Sequence, residues 1–300
     1  MHGRRLDPRE LGEEEPDDTE GETYNIYVSR EQVLNDLASE VTQANFKSSV
    51  PLCVEFFGED AEDLGGPRRE LLQIAVIELV GRVFEKNDRG YSLGHNPAHM
   101  TRMYKAAGVI IGLCLLQGGP DMRLFSTTFV EDFMGADDLH TPVGQFAAGM
   151  CVTGILKLVR AYPQCMELLR HTPPEPMTMS DMLSMFRKGY SERGSNSRLR
   201  EEATMSTFIK YLGDVAGGGR VVSLSEIVRF VTCLTRPPPV GFQPVPVIIF
   251  QPSSSFLPKA QTCTNTLILP IARMGENPPR DDDIFQKFDL GFKNEYFGVG

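Results

Sequence analysis

A single cysteine near the end of the chain has the clearest chemical potential. Cys263 stands between two Leu-Pro pairs, and its neighbours Thr262, Thr264 and Asn265 are polar. A buried thiol behaves as a small hydrophobic group and usually has apolar neighbours, so a polar setting favours a surface loop. Residues 266–269 then alternate as a strand does. The pattern predicts a thiol nucleophile on a loop that can meet a large partner, with a buried cysteine in a β segment as the competing interpretation.

Other residues that could do chemistry give weaker patterns. The six cysteines include no Cys-x-x-Cys pair, and the five histidines show no zinc-ligand spacing. Three of the cysteines lie in apolar stretches and are expected in the core, namely Cys53, Cys114 and Cys151. His95 and His99 could face one way on a helix, but no third ligand is near them in the sequence. A cysteine protease would need a histidine partner, and no histidine follows His171. We therefore expect no metal site, and we recognise no cofactor motif.

The acidic, glycine-rich segment after the second predicted strand has two functional interpretations. Gly65 and Gly66 could begin a phosphate loop, but no Gly-Lys-Ser/Thr follows and the neighbours are acidic. Glu59 and Asp63 could form a paired acid–base site. We favour a tight turn that caps a helix, with structural ion pairs for Arg69 and Glu70.

The elements that must position Cys263 fall into two groups. The first contains short strands at 24–28 and 52–57, and helices at 67–84, 98–117, 123–135 and 145–170. Gly108 and Gly112 lie four residues apart and predict a close approach to another element. Pro173-Pro174-Glu175-Pro176 then marks a candidate hinge. The second group contains helices at 198–211 and 222–232 and short β segments at 245–250 and 266–269.

Composition limits the class of protein. The length of 300 residues allows two packed lobes. The sequence contains no run of about 18 apolar residues, so we expect no membrane-spanning helix. Residues 1–22 contain nine acidic and three basic residues, which gives −6 of the total charge of −10. We expect this tail to be disordered. Because no basic stripe is present, nucleic acid and membrane are not expected partners, and the scattered cysteines predict an intracellular protein, cytoplasmic or nuclear.

Four segments together resemble the HECT ubiquitin ligases. Residues 257–270 resemble the family's active-site loop, Leu-Pro-x-x-x-Thr-Cys-x-Asn-x-Leu-x-Leu-Pro, and residues 54–71 its first-lobe signature, with Gly-Glu, Asp-x-Gly-Gly and Arg-Glu in place. Residues 230–242 resemble the second-lobe segment Phe-x-Thr-Gly-x-x-x-x-Pro-x-x-Gly-Phe, and Phe297 stands fourth from the end. Within the family, the pattern is most similar to the G2/M-phase-specific ligases.

The resemblance implies a ubiquitin-protein transferase that works through a thioester. Cys263 would take ubiquitin from a ubiquitin-conjugating enzyme and pass it to a lysine of an unknown protein substrate. It also implies supporting roles for Thr262 and Asn265 near the developing oxyanion, for Gln261 in orienting the loop, and for Phe297 in orienting the lobes or the thioester. The competing hypothesis is a catalytically weak HECT-like scaffold that binds ubiquitin or another partner.

Departures from the family pattern motivate that second hypothesis. Gln261 stands where most members have histidine, and it can donate a hydrogen bond but cannot accept a proton. Thr264 stands at the usual phenylalanine, and Cys233 stands at the usual glycine, where we expect a helix terminus or turn. The implied fold is α+β and bilobal, a mostly helical first lobe with a short β element at 23–185 and a smaller α/β second lobe at 186–300. The subdomain that docks the conjugating enzyme is expected to be abridged.

Overall fold

The computed structural model describes most of the chain, namely residues 22–59, 66–94, 101–173, 175–239 and 241–293. The predicted acidic tail at 1–22 lies outside these residues apart from Glu22. His95 and His99 also lie outside the described residues, as do Asp63 and Phe297, so the predictions made for them stay predictions.

The first lobe begins with a parallel strand pair. Strand β1 (Tyr24–Val28) pairs with β2 (Leu52–Phe56), and helix α1 (Val33–Val41) forms the connection between them. Ile26, Val28, Val54 and Phe56 are buried, as the alternating sequence predicts. Helix α2 (Gly66–Arg82) follows and buries Leu71, Leu72, Ala75 and Leu79 on one side.

Helices make up most of the remaining first lobe. A hairpin of β3 (Phe84–Asn87) and β4 (Gly90–Leu93) precedes α3 (Thr101–Leu116), α4 (Thr127–Met134), α5 (Pro142–Val152), α6 (Ile155–Ala161) and a 3₁₀ segment, Pro163–Leu168. The prediction of one helix over 145–170 is wrong. Gly154 adopts a left-handed conformation, with φ of 75°, and separates α5 from α6.

The predicted close approach at Gly108 is confirmed. A Cβ atom built on Gly108 of α3 would lie 2.1 Å from the carbonyl oxygen of Phe146 on α5. No side chain fits at that distance, so glycine allows the two helix backbones to pack directly together. Cys151, on α5, was expected in the core but is exposed, and Cys53 is only partly buried, whereas Cys114 is buried as predicted.

The second lobe is built around a mixed sheet. It contains the helices α7 (Met179–Met185), α8 (Asn196–Ala216), α9 (Leu224–Thr232) and α10 (Asp281–Lys293), and the strands β5 (Arg187–Lys188), β6 (Val247–Pro252), β7 (Lys259–Gln261) and β8 (Thr266–Ile271). The strand order is β5-β6-β8-β7. Strands β5, β6 and β8 are parallel, whereas β7 runs antiparallel to β8.

Two separate hydrophobic cores support the α+β, bilobal prediction. The core of the first lobe ends at Leu169, and that of the second begins at Met182. The proline segment at 173–176 therefore lies between them. Helix α7 packs with the second lobe, whereas the predicted boundary between residues 185 and 186 would place it in the first. In the part of the chain that is described, no single helix is long and apolar enough to cross a membrane, although α5 and α6, bent by 95°, pass that test together on length and composition.

Candidate functional site

Cys263 lies on the turn that joins strands β7 and β8. The two strands are antiparallel, and Gln261 pairs with Thr266, which leaves residues 262–265 as the turn. The backbone amide of Asn265 donates to the carbonyl oxygen of Thr262 at 3.3 Å and closes it. Cys263 is partly exposed there. The structure thus places this thiol on a short polar loop, as its neighbours in the sequence predict.

Asn265 fixes the far end of the turn. Its backbone is left-handed, with φ of 52°, a conformation that asparagine tolerates better than most residues. The side chain is 0% exposed. Its amide nitrogen donates to the carbonyl oxygen of Pro244 at 2.6 Å, and its backbone oxygen accepts from Val247 at 3.0 Å. Asn265 therefore ties the turn to the segment that leads into β6.

A buried arginine of the first lobe also reaches this turn. Arg69, on α2, is only 3% exposed. Its Nε donates to the carbonyl oxygen of Thr232 at 3.0 Å, and its Nη2 donates to Oδ1 of Asn265 at 2.7 Å and to the carbonyl oxygen of Thr262. These are charge-assisted hydrogen bonds to neutral oxygens of the second lobe. The ion pair expected for Arg69 stays a prediction.

The first turn of α2 packs against the same loop. A Cβ atom built on Gly66 would lie 2.7 Å from Oγ1 of Thr262 and 3.1 Å from the backbone nitrogen of Cys263. Any side chain at position 66 would push the loop away. The glycine that sequence analysis assigned to a tight turn therefore has a second effect, because it lets the start of α2 touch the residues around the thiol.

Comparison with known proteins agrees with this geometry. Residues 163–276, which include Cys263 and its turn, match the model of the HECT-domain (ubiquitin-transferase) family. The segment that carries Cys263 is therefore similar to a HECT domain. The G2/M phase-specific E3 ubiquitin-protein ligase of Homo sapiens is 28% identical over 83% of this chain and 44% of its own length. The Gallus gallus protein of that name is 29% identical over 46% of this chain and 18% of its own length.

A second kind of ligase is similar over a shorter segment. The apoptosis-resistant E3 ubiquitin protein ligase 1 of Homo sapiens is 33% identical over 27% of this chain and 11% of its own length. The chain thus spans less than half the length of these curated relatives. The HECT match begins after α6, so α2 with Gly66 and Arg69 lies outside the matched residues.

Cys233 borders the HECT loop but has a different environment. It ends α9 in a left-handed conformation, with φ of 63°, and its backbone amide donates to the carbonyl oxygen of Arg229 at 2.8 Å. Burial raises the pKa of its thiol to about 12, and the negative charge of Glu70 adds to the rise. The positive charge of Arg69 and a hydrogen bond from the Thr262 side chain act in the opposite direction. This thiol stays protonated near neutral pH, and its place at a helix end is the one that sequence analysis predicted.

Two acidic residues in the segment that resembles the first-lobe signature, Glu59 and Glu70, are held in ion pairs. Arg30 bonds Glu70 at 2.8 Å and also contacts Glu59. The guanidinium of Arg30 lies 4.3 Å from the ring centre of Phe56. The predicted ion pair of Glu70 is therefore present, and Glu59 neighbours a cation. Among the described residues, no group of three or more potential metal ligands occurs.

The remaining predicted site residues are distributed around the turn. Gln261 is the last residue of β7 and is exposed. Its carbonyl oxygen accepts a hydrogen bond from Oγ1 of Thr264 at 3.4 Å. Oγ1 of Thr264 also bonds Oγ1 of Thr266 at 2.9 Å. Thr262 contacts Arg69 through its carbonyl and Cys233 through its hydroxyl. The polar groups that surround Cys263 therefore serve mainly to hold the turn in place.

Proposed function

We propose that this chain is a ubiquitin-protein transferase with Cys263 as its acceptor thiol. The observation that carries the proposal is a partly exposed cysteine on a hydrogen-bonded turn, inside the segment that matches the HECT family. Ubiquitin, a ubiquitin-conjugating enzyme and a protein substrate would be its partners. Similarity to two proteins that are named as E3 ubiquitin ligases supports this assignment.

The chemistry would proceed in two acyl transfers. The sulfur of Cys263 attacks the carbonyl carbon of the thioester that joins ubiquitin to the conjugating enzyme, and the thiolate of that enzyme leaves. A substrate lysine amine then attacks the new thioester, an isopeptide bond forms, and the thiolate of Cys263 leaves. Because exchange between two thioesters is nearly balanced, positioning matters more here than a strong base.

The hydrogen bonds around the turn suggest roles for the supporting residues that differ in part from those expected. Asn265 has its amide oxygen on Arg69 and its amide nitrogen on Pro244, so we assign it to holding the turn. The oxyanion role expected for Asn265 and Thr262 stays a prediction. Gln261 is exposed beside the thiol, where its amide could reach a bound ubiquitin terminus.

A trapped adduct would test the transferase assignment. The chain is incubated with activating enzyme, tagged ubiquitin and a panel of conjugating enzymes, and the products are separated with and without thiol. We expect a thiol-sensitive adduct that Cys263→Ala abolishes and Cys263→Ser converts to a thiol-resistant ester. Cys151→Ser is the matched control, because Cys151 is an exposed thiol of the first lobe. It should leave the adduct unchanged.

The second candidate function is a HECT-like scaffold that binds ubiquitin without transferring it. The sequence favours it in one respect, because Gln261 and Thr264 depart from the histidine and phenylalanine that most HECT members have at these positions. Failure to form an adduct with any conjugating enzyme, combined with measurable ubiquitin binding, would select this function over the transferase.

A further inference from the structure

The feature that the transferase proposal leaves unexplained is a buried cation that crosses between the lobes. Arg69 belongs to α2, whereas the three acceptors described for it belong to the second lobe and lie 163, 193 and 196 residues further along the chain. A charged side chain is almost never fully buried unless its donors are satisfied, and removal of one partner leaves the others unpaired in a poorly solvated place.

The acceptors of Arg69 have an informative arrangement. Two of them are the carbonyl oxygens of Thr232 and Thr262, the residues that immediately precede Cys233 and Cys263. The third is Oδ1 of Asn265, at the other end of the turn. One planar guanidinium, whose donors have a fixed geometry, therefore holds the helix end at Cys233 and both ends of the Cys263 turn in register.

The contact at Gly66 supports the same conclusion independently. Gly66 precedes Arg69 by three residues, so both lie on one face of α2. Gly66 packs closely against Thr262 and Cys263. Arg69, one helical turn further along α2, donates a hydrogen bond to the carbonyl oxygen of Thr262. Packing and hydrogen bonding thus join the same helix face to the same four-residue turn.

We propose that Arg69 is a positioning residue that latches the Cys263 turn of the second lobe onto helix α2 of the first. Its part in transfer rests on the proposed function, whereas its hold on the turn does not. A displacement of about 1 Å at a reacting atom can lower a rate on the order of 10²-fold. Loss of the bond to the carbonyl adjacent to Cys263 is a direct way to cause such a displacement.

The first test needs no ubiquitin. Cys263 in the full chain is alkylated with iodoacetamide under native conditions, and the modified peptide is quantified by mass spectrometry over time. Arg69→Gln should speed the alkylation of Cys263 several-fold, because the turn is released into solvent. Arg200→Gln is the matched control, since Nη1 of Arg200 also donates to a backbone carbonyl, that of Ala272, away from the turn. It should leave the alkylation rate unchanged.

The second test follows transfer. Arg69→Gln should lower the rate of the thiol-sensitive ubiquitin adduct or of its discharge to lysine by at least about tenfold, with the response to conjugating-enzyme concentration little altered. Arg69→Lys should fall between it and the wild type, because lysine keeps the charge but lacks the fork. That partial rescue would not arise from loss of folding alone, and circular dichroism checks the fold of each variant.

The outcomes separate the two proposals. A wild-type protein that forms no adduct overturns the transferase, but the alkylation comparison still decides whether Arg69 holds the turn. Equal alkylation of Cys263 in the wild type and in Arg69→Gln overturns the latch, whatever the transfer assay gives. If Arg69→Gln does not fold, the same alkylation comparison is made with Arg69→Lys, for which an unchanged rate contradicts the proposal.

Discussion

Cys233 ends helix α9 and is 5% exposed, whereas Cys263 lies on the turn between β7 and β8 and is partly exposed. Each follows a threonine whose carbonyl oxygen accepts a hydrogen bond from Arg69. Thr262 contacts both regions, so the two thiols share a neighbourhood. Their difference shows that access to solvent, set by the local backbone, distinguishes a thiol that can meet a partner from one that fills a core.

Asn265 is the residue of the Cys263 turn whose replacement should destabilise the protein most. Asn265→Ala removes the bonds to Arg69 and Pro244 and places a Cβ-bearing residue without a local hydrogen bond at a left-handed φ of 52°. We expect the free energy of unfolding to fall by about 3 kcal/mol, from lost charge-assisted bonding and backbone strain. Urea unfolding measures it.

A matched variant divides this effect into its two causes. Asn265→Gly loses the same amide but adopts positive φ readily. After allowance for the greater flexibility of glycine in the unfolded chain, it should be less destabilised than Asn265→Ala by about 0.5 kcal/mol. Equal stability of the two variants would show that backbone strain at this position does not exceed that entropic cost. Wild-type stability in both would contradict the assigned role of the side chain in holding the turn.

The burial of the Cys233 thiol should make the free energy of unfolding depend on pH. Burial raises the pKa of its thiol to about 12 in the folded chain, whereas an unfolded cysteine has a pKa of about 8.5. Between those values the unfolded chain loses a proton that the folded chain retains. The contribution of this thiol to stability is thus complete below about pH 8.5 and falls as pH rises, by at most about 1.4 kcal/mol per pH unit.

A comparison of the wild type with Cys233→Ala isolates that contribution. Cys114 is buried too, and burial raises its pKa as well, but it is present in both proteins and cancels in the difference. Urea unfolding at pH 8, 9 and 10 should show the advantage of the wild type shrinking as pH rises. A difference that stays constant over this range would mean that the Cys233 thiol ionises as readily in the folded chain as in the unfolded one.

Local features of the site could be predicted from the sequence, because they depend on neighbouring residues. The polar residues around Cys263 predict its loop, and the alternation after it predicts β8. The buried face of α2, the buried helix α3 and the close contact at Gly108 follow from apolar spacing and from glycine. Helix α10 was missed, although Asp281-Asp282-Asp283 before an apolar face is a usable start signal.

Arg69 shows what a single sequence does not contain. Its acceptors lie more than 160 residues away, and only the packing of one lobe on the other brings them together. By type, arginine is expected at the surface or in an ion pair, so the bonds from Arg69 to oxygens of the other lobe gave no local signal. The exposure of Cys151 was missed for a different, local reason, because the left-handed Gly154 ends α5 just beyond it and the helix expected to continue there stops.

The smallest expected effect concerns the backbone beneath Cys233. Cys233→Gly and Cys233→Ala both remove the sulfur and its buried contacts, so those losses cancel between them. They differ at a φ of 63°, which costs alanine about 1 kcal/mol or more but which glycine adopts freely. Because glycine also makes the unfolded chain more flexible, the net advantage of Cys233→Gly should be about 0.5 kcal/mol.

The difference is measured by urea unfolding at pH 7, and both variants should retain the Cys263 adduct. If either lost it while staying folded, the thiol of Cys233 would take part in transfer and the two cysteines would not be distinct in function.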